Sequence, residues 1–244
     1  MAGNMRELTS LTVIMPCYNE ENTLEEVVSQ VLQANILGLQ LELIIVNDGS
    51  VDGSRQIMDQ LAAQHPAIRA LHHDVNQGKG AALSTGFKAA TGDLVLIQDA
   101  DLEYSPNEYP SLLQPFFEQR ADVVYGSRFR GGHGYGRVLY FWHSMGNRFL
   151  TFCSNVMTDI NLTDMETCYK VFRRPLLEKI QLREKRFGVE PEMTAKLAHL
   201  QPRPRIFEVS ISYSGRTYEE GKKIGWKDGF RAIYCILRYN LIRD

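Results

Sequence analysis

Short apolar runs alternate with longer amphipathic segments along the first hundred residues. The apolar runs are typical of buried strands and lie near 11–15, 41–46, 68–72 and 94–98. Between them, segments of about ten residues or more carry apolar side chains at helical spacing, as in Leu24, Val27, Val28, Val31 and Leu32. Continuous apolar strands that alternate with helices predict an α/β fold, with a mostly parallel central sheet flanked by helices.

Two residues predict where the first of these elements ends and the next begins. Pro16 lacks a backbone N–H, so we expect it to stop the first strand. Asn19 has the side chain that commonly caps a helix, and we expect it to begin the helix that follows.

The pattern becomes less regular beyond residue 104. It predicts further strands near 123–125, 167–172 and 206–212, and helices near 106–119, 139–157, 191–200 and 226–242. No repeat or linker interrupts the chain, so one domain is expected over 1–244. The C-terminal amphipathic helix, about 226–242, places Trp226, Phe230, Ile233, Leu237 and Leu241 on one face. That face suits either a membrane surface or packing on the core.

Composition narrows the class of partner and the compartment. The formal net charge is −2, which gives no concentrated basic surface for nucleic acid. The four cysteines show neither metal-ligand spacing nor a small disulfide framework, so reduced thiols in the cytoplasm are expected. No apolar run approaches the roughly 18 residues of a membrane span. Peripheral attachment to a membrane remains open.

Three carboxylates stand at alternate positions after the apolar run 94–97. They are Asp99, Asp101 and Glu103. Alternate residues of a strand share one face, so these side chains are expected to converge, and a cation would relieve their repulsion. Oxygen ligands favour a hard ion such as Mg²⁺ or Mn²⁺. A solvated acidic loop is the alternative. Other polar motifs also follow strands, and ligands of open α/β sheets bind at that edge.

The motifs taken together resemble the family 2 glycosyltransferases with the GT-A nucleotide-sugar-binding fold, and among them the polyprenyl-phosphate hexosyltransferases. The matching segments are Met15-Pro16-Cys17-Tyr18-Asn19-Glu20, Asn47-Asp48-Gly49-Ser50-Val51-Asp52-Gly53-Ser54, Asn76-Gln77-Gly78-Lys79-Gly80, Gln98-Asp99-Ala100-Asp101-Leu102-Glu103, Gly126-Ser127-Arg128, 164–172 and 213–222. The resemblance spans nearly the whole chain, and the order of the motifs makes it specific.

The resemblance implies a nucleobase and ribose pocket at the end of the first strand. Pro16, Tyr18 and Glu20 would line that pocket, and Asp48 would accept a hydrogen bond from the base edge. The alternative for Glu20 is a helix entry, where acidic residues favour the helix dipole. The alternative for Asp48 is a turn or cap aspartate. Lys79 precedes a helix and is expected to meet a phosphate of the donor, although a solvated loop lysine is nearly as good an interpretation.

The same resemblance assigns the acidic motif to the nucleotide sugar and its metal ion. Asp99 and Ala100 are expected beside the sugar nucleotide, with Asp99 ribose- or metal-proximal, and Asp101 with Glu103 on the metal. Many relatives carry Gln where this chain has Glu103. The added negative charge is expected either to tighten metal binding or to change which ion is preferred. The metal would neutralise charge on the departing nucleoside diphosphate.

Three basic residues match family positions that bind phosphates. Arg128 corresponds to the acceptor phosphate, and Arg216 and Lys222 to the donor diphosphate. Arginine's planar fork suits paired phosphate oxygens, whereas the alternative for each residue is an ordinary surface ion pair. Asp101, Arg128 and Arg216 are therefore the expected catalytic residues. The roles of Asp164, Glu190 and Glu192 stay open between capping and the acceptor side.

The resemblance implies an inverting, metal-dependent hexosyltransferase. The donor would be of the GDP-mannose or UDP-glucose type and the acceptor a polyprenyl or dolichyl phosphate, which is ionised and needs no strong base. A hydroxyl acceptor would need one, and Asp164 is the first candidate. The alternatives are a soluble sugar or protein acceptor, or a noncatalytic nucleotide-sugar-binding subunit. A lipid acceptor would bring the chain to a membrane surface or to a membrane-subunit partner.

Overall fold

The computed structural model describes residues 8–131, 140–215 and 226–242. Within these ranges it contains seven strands and eight α-helices. In chain order they are β1 (Ser10–Cys17), α1 (Leu24–Gln33), β2 (Gln40–Asn47), α2 (Ser54–Gln64), β3 (Ile68–His72), α3 (Lys79–Ala89), β4 (Leu94–Ile97), α4 (Tyr109–Glu118), β5 (Val123–Ser127), α5 (Phe141–Thr158), β6 (Lys170–Arg173), α6 (Arg174–Leu177), α7 (Val189–His199), β7 (Ile206–Ser210) and α8 (Trp226–Leu241).

All seven strands form one sheet in the order β3-β2-β1-β4-β6-β5-β7. Every pairing is parallel except those of β6, which runs antiparallel to both β4 and β5. The apolar strands β1, β2, β4 and β5 are buried over most of their length, as expected for a sheet covered on both faces. The predicted α/β class and mostly parallel sheet are confirmed, and the carboxyl ends of β1, β2, β4 and β5 meet at one edge.

The first strand does not stop at Pro16, and this prediction was wrong. Pro16 pairs in register with Val46, and β1 continues to Cys17. The carbonyl of Ile14 accepts from Gln98 on the β4 side, so the nitrogen of Pro16, two residues on, faces that side. Pairing between β1 and β4 ends at Ile14. The missing N–H of Pro16 therefore removes no hydrogen bond of the sheet, because β4 offers no partner at this position.

Asn19 does not cap α1, which is a second correction. The helix begins at Leu24, and the Asn19 side chain instead accepts a hydrogen bond from the Val51 N–H at 2.9 Å. Its backbone is left-handed, with φ 52°, a conformation that asparagine tolerates better than most residues. Asn19 thus ties the end of β1 to the loop after β2. None of the helices in the described ranges combines the length and apolar character of a membrane span.

Candidate active site

The acidic motif leaves the sheet as soon as β4 ends at Ile97. Residues 98 and 99 have no regular structure and residues 100–104 form bends, so the alternation of faces no longer applies to them. Asp101 Oδ1 accepts a hydrogen bond from the Glu103 N–H at 3.2 Å. Glu103 Oε2 accepts one from the Tyr213 hydroxyl at 2.9 Å. Asp99 takes a different direction, toward α3.

Asp99 forms an ion pair with Lys79, which lies at the first position of α3. Lys79 Nζ is 2.8 Å from one Asp99 oxygen and 3.1 Å from the other. Burial lowers the pKa of Lys79, but the charge and hydrogen bond of Asp99 together with the charge of Glu190 and the Cys168 thiol outweigh burial, and the net pKa lies well above the ordinary value. In this structure each of the two residues is therefore the charge partner of the other.

The three carboxylates expected to bind a metal ion do not converge in this structure, and their role as metal ligands stays a prediction. Across the described ranges, no three His, Cys, Asp or Glu side chains are arranged to hold a metal ion. Asp99 pairs with Lys79, whereas Asp101 and Glu103, the other two carboxylates of the motif, lie at the end of β4 and accept hydrogen bonds from the Glu103 N–H and the Tyr213 hydroxyl. Two carboxylates fit Mg²⁺ or Mn²⁺ if phosphate oxygens and waters complete the shell, which is how Mg²⁺ is usually held.

Asp48 anchors the loop before α3 instead of lying open to a base. It is 3% exposed, and its two oxygens accept from the N–H groups of Gln77 and Gly78 at 2.9 and 2.7 Å. His73 Nδ1 is also 2.8 Å from Oδ1. Gly78 has φ 102°, and a Cβ there would lie 2.3 Å from the Lys185 carbonyl oxygen, so only glycine fits. Asp48 thus fixes the loop that presents Lys79.

Thr23 links the end of β1 to the acidic motif. Tyr18 and Glu20 are half-buried just beyond Pro16. The Thr23 hydroxyl lies 3.1 Å from the Glu20 carboxylate and 3.0 Å from the Ala100 carbonyl oxygen. This contact brings the first motif and the acidic motif to the same edge of the sheet, as the sequence predicts.

Arg128 follows β5 and is fixed by Asp164. Its Nε and Nη2 donate to the two Asp164 oxygens at 2.6 and 2.8 Å, and its backbone N–H donates at 3.1 Å. Asp164 is fully buried and also accepts from Asn147 Nδ2 of α5 at 3.2 Å. Burial lowers the pKa of Arg128, but the charge and hydrogen bonds of Asp164, together with the nearby hydroxyls of Tyr104 and Tyr213, outweigh burial, so the net pKa shift is upward. With both oxygens engaged, Asp164 positions Arg128 and is not an available base.

Tyr213 joins the acidic and basic parts of the site. Its hydroxyl donates to Glu103, and its ring lies 5.1 Å from the guanidinium carbon of Arg128. Glu103 and Arg128 are thus held against one aromatic side chain. Arg216 and Lys222, the other expected phosphate ligands, lie outside the described residues.

A buried charge network extends from Lys79 into the domain, and the sequence reasoning missed most of it. Lys170 of β6 is fully buried and donates to Glu190 and to the Thr167 carbonyl oxygen. Glu190 Oε1 is 3.7 Å from Lys79 Nζ, so negative and positive charges alternate from Asp99 to Lys170. The sequence signal that pointed to this network was Lys170, a lysine at the start of a short apolar strand. Glu192, also fully buried, accepts from the backbone N–H groups of Arg183 and Glu184.

Glu166 lies beside this network. Its Oε1 is buried without a hydrogen-bond partner. Burial, reinforced by the nearby charge of Glu190, raises its pKa to about 8. A carboxyl with such a pKa is protonated at neutral pH, which distinguishes it from the ion-paired carboxylates around it.

Comparison with known proteins identifies the class. The chain is 30% identical to the undecaprenyl-phosphate mannosyltransferase of Micrococcus luteus, over 97% of this chain and 95% of that protein. It is 25% identical to the dolichol-phosphate mannosyltransferase of Pyrococcus furiosus, over 94% of this chain and 64% of that one. The chain therefore spans less than two thirds of that second relative's length.

The fold has a close counterpart among solved structures. The crystal structure of glucosyl-3-phosphoglycerate synthase from Mycobacterium tuberculosis, with Mn²⁺, uridine diphosphate and phosphoglyceric acid, superposes with a TM-score of 0.71. The match covers 97% of this chain and 80% of that one at 20% identity. The fold and these relatives define a glycosyltransferase of the GT-A type. The family model Glycosyl transferase family 2 matches residues 12–181, and the chain belongs to that family.

Proposed function

We propose that this glycosyltransferase moves a hexose from a nucleoside-diphosphate sugar to a polyprenyl phosphate, with inversion at the anomeric carbon. The observation that carries the proposal is the guanidinium of Arg128, preset by buried Asp164 and joined through Tyr213 to Glu103. A guanidinium has five N–H donors, so the N–H groups of Arg128 that do not bond to Asp164 are proposed to donate to the phosphate oxygens. The relative at 30% identity is named an undecaprenyl-phosphate mannosyltransferase, which supports the same acceptor.

The reaction is a single displacement. An oxygen of the acceptor phosphate forms the new bond to the anomeric carbon while the bond to the nucleoside diphosphate breaks. That oxygen is already ionised at pH 7, so no proton has to be removed and Asp164 can remain committed to Arg128. Catalysis then consists of positioning and charge stabilisation by preset groups.

Asp101 and Glu103 are the residues proposed to hold Mg²⁺ or Mn²⁺. A bound divalent cation supplies Lewis-acid stabilisation of the charge on the departing diphosphate. The neighbouring fold with Mn²⁺ and uridine diphosphate supports a divalent ion for this GT-A domain. Tyr18 and Glu20, at the end of β1, are proposed to contact the nucleoside.

The acceptor implies a location. A polyprenyl phosphate resides in a bilayer, so the chain is proposed to work at the cytoplasmic face of a membrane, attached peripherally or through a membrane subunit.

The test is transfer from labelled GDP-mannose and UDP-glucose to undecaprenyl phosphate in detergent, with Mg²⁺, Mn²⁺ or EDTA. The expected result is an organic-extractable labelled lipid with one donor, lost with EDTA. A parallel reaction replaces the lipid with soluble phosphorylated and hydroxyl acceptors. Label only in soluble products, or no transfer from either donor, overturns the lipid assignment.

A further inference from the structure

The side chains that helix α5 buries most completely are polar, whereas several large apolar side chains of the same helix are exposed. The residues it buries are Asn147, Thr151, Ser154 and Thr158. Trp142, Phe149 and Phe152, by contrast, are 82%, 56% and 63% exposed. A surface helix of a protein surrounded by water normally shows the reverse arrangement. The inversion calls for an apolar environment on the outer side of α5.

Helix α8 packs against α5 and also carries large exposed apolar side chains. It buries Ala232, Cys235 and Ile236, yet Phe230, Tyr234 and Leu241 are more than half exposed. The face expected from the sequence is therefore the one that α8 turns outward. We name the exposed side chains of Trp142, Phe149, Phe152, Phe230, Tyr234 and Leu241 the α5/α8 apolar face. An exposed apolar surface of this extent marks an interaction site.

We infer that the α5/α8 apolar face docks on the surface of an anionic lipid bilayer. Aromatic side chains predominate in it, and these are the residues that favour the membrane–water interface. Helix α5 contains Arg148 and no acidic residue, so its charge matches anionic headgroups. Pairing with a second copy of this chain would need an acidic partner for Arg148, and Asp228 is the one acidic residue in the sequences of α5 and α8.

The inner face of α5 connects this surface to the acceptor site. Asn147 on that face donates to Asp164, which holds Arg128. Arg148 lies 5.5 Å from the ring of Phe129, next along the chain from Arg128. Bilayer and acceptor phosphate would thus meet opposite sides of one helix, about 10 Å across. The inference rests on the proposed function for the identity of the acceptor, although docking is measurable without it.

Vesicle flotation tests the docking surface. The whole chain is mixed with vesicles of phosphatidylcholine alone, or with phosphatidylglycerol added, without donor or acceptor. Binding to the anionic vesicles is expected for the wild type. The double variant Phe149→Glu, Phe152→Glu should bind about tenfold less, since it removes apolar area and adds repulsive charge. Phe117→Glu, at a 45% exposed phenylalanine of α4, is the matched control and should bind as the wild type does.

Three outcomes overturn the inference. They are failure of the wild type to float with anionic vesicles, equal binding by the double variant, and a wild-type dimer in solution that the double variant converts to monomer. Thermal unfolding of both variants establishes that they are folded. Because flotation contains no substrate, a chain that docks but transfers no sugar would overturn the proposed function alone.

Discussion

Lys79 Nζ lies 2.8 Å from the carboxylate of Asp99, so the lysine expected to meet a phosphate neutralises the aspartate expected to approach a metal. Lys79 also lies 3.7 Å from Glu190, which in turn pairs with buried Lys170. Asp99 therefore has a different partner from Asp101, although the two are separated by one residue. Their substitutions should have different effects.

Asp101→Asn should weaken Mn²⁺ binding at least about tenfold, because it removes one charge of a two-carboxylate donor set. Asp99→Asn should change Mn²⁺ binding less than about twofold. Free Mn²⁺ is measured by electron paramagnetic resonance with nucleoside diphosphate present, so the readout does not depend on turnover. Equal losses in the two variants would contradict the separation of Asp99 from the metal.

Arg128→Ala should raise the KM for the acceptor by about tenfold or more and leave the donor KM within about twofold, because it removes the guanidinium that is proposed to bind the acceptor phosphate. Arg205→Ala is the control, since Arg205 forms a similar two-bonded pair with Asp122 while its side chain is 51% exposed. It should leave both constants near those of the wild type. A similar rise in donor and acceptor KM for Arg128→Ala would count against its assignment.

The sequence predicts the parallel strands β1, β2 and β4 well, because each is a nearly continuous apolar run followed by a recognisable helix. β6 is harder. Only Lys170–Arg173 form the strand, where 167–172 was predicted, and its reversed direction depends on partners distant in sequence. Pro16 shows the same limit, since its effect depends on which neighbouring strand faces its nitrogen.

The edge of the sheet that carries the site was also predictable, but individual partners were not. Alternation of faces fails for Asp101 and Glu103 because the backbone leaves the strand at Ile97. Asp48 satisfies N–H groups 29 and 30 residues away, which no local pattern signals. Tyr213 belongs to a quoted motif, yet its contact with Glu103 joins residues 110 positions apart.

Lys170→Met should lower the free energy of unfolding by about 3–5 kcal/mol, because the buried carboxylate of Glu190 then loses the lysine that compensates its charge. The measurement is urea unfolding at neutral pH. Arg203→Ala, which breaks an ion pair between exposed side chains with Asp159, should change stability by less than about 1 kcal/mol. A loss below about 1 kcal/mol in Lys170→Met would show that Glu190 finds another partner.

Glu166→Gln should remove a pH dependence of stability between about pH 4.5 and pH 8. The wild-type pKa is about 8 in the folded chain, against an ordinary value of 4.5. In this window the unfolded chain has lost the proton that the folded chain keeps, so the wild-type unfolding free energy falls as pH rises. Glutamine carries no ionisable proton, so the variant should gain relative to the wild type from pH 5 to pH 8, by at most about 1.4 kcal/mol per pH unit. Urea unfolding of both proteins at several pH values measures this gain. Glu178→Gln is the control. It removes a negative charge from a side chain that is 62% exposed, so it shows the effect of losing a charge that is not buried. If the stabilities of Glu166→Gln and the wild type stay parallel across the window, the Glu166 carboxyl is not held in its protonated form.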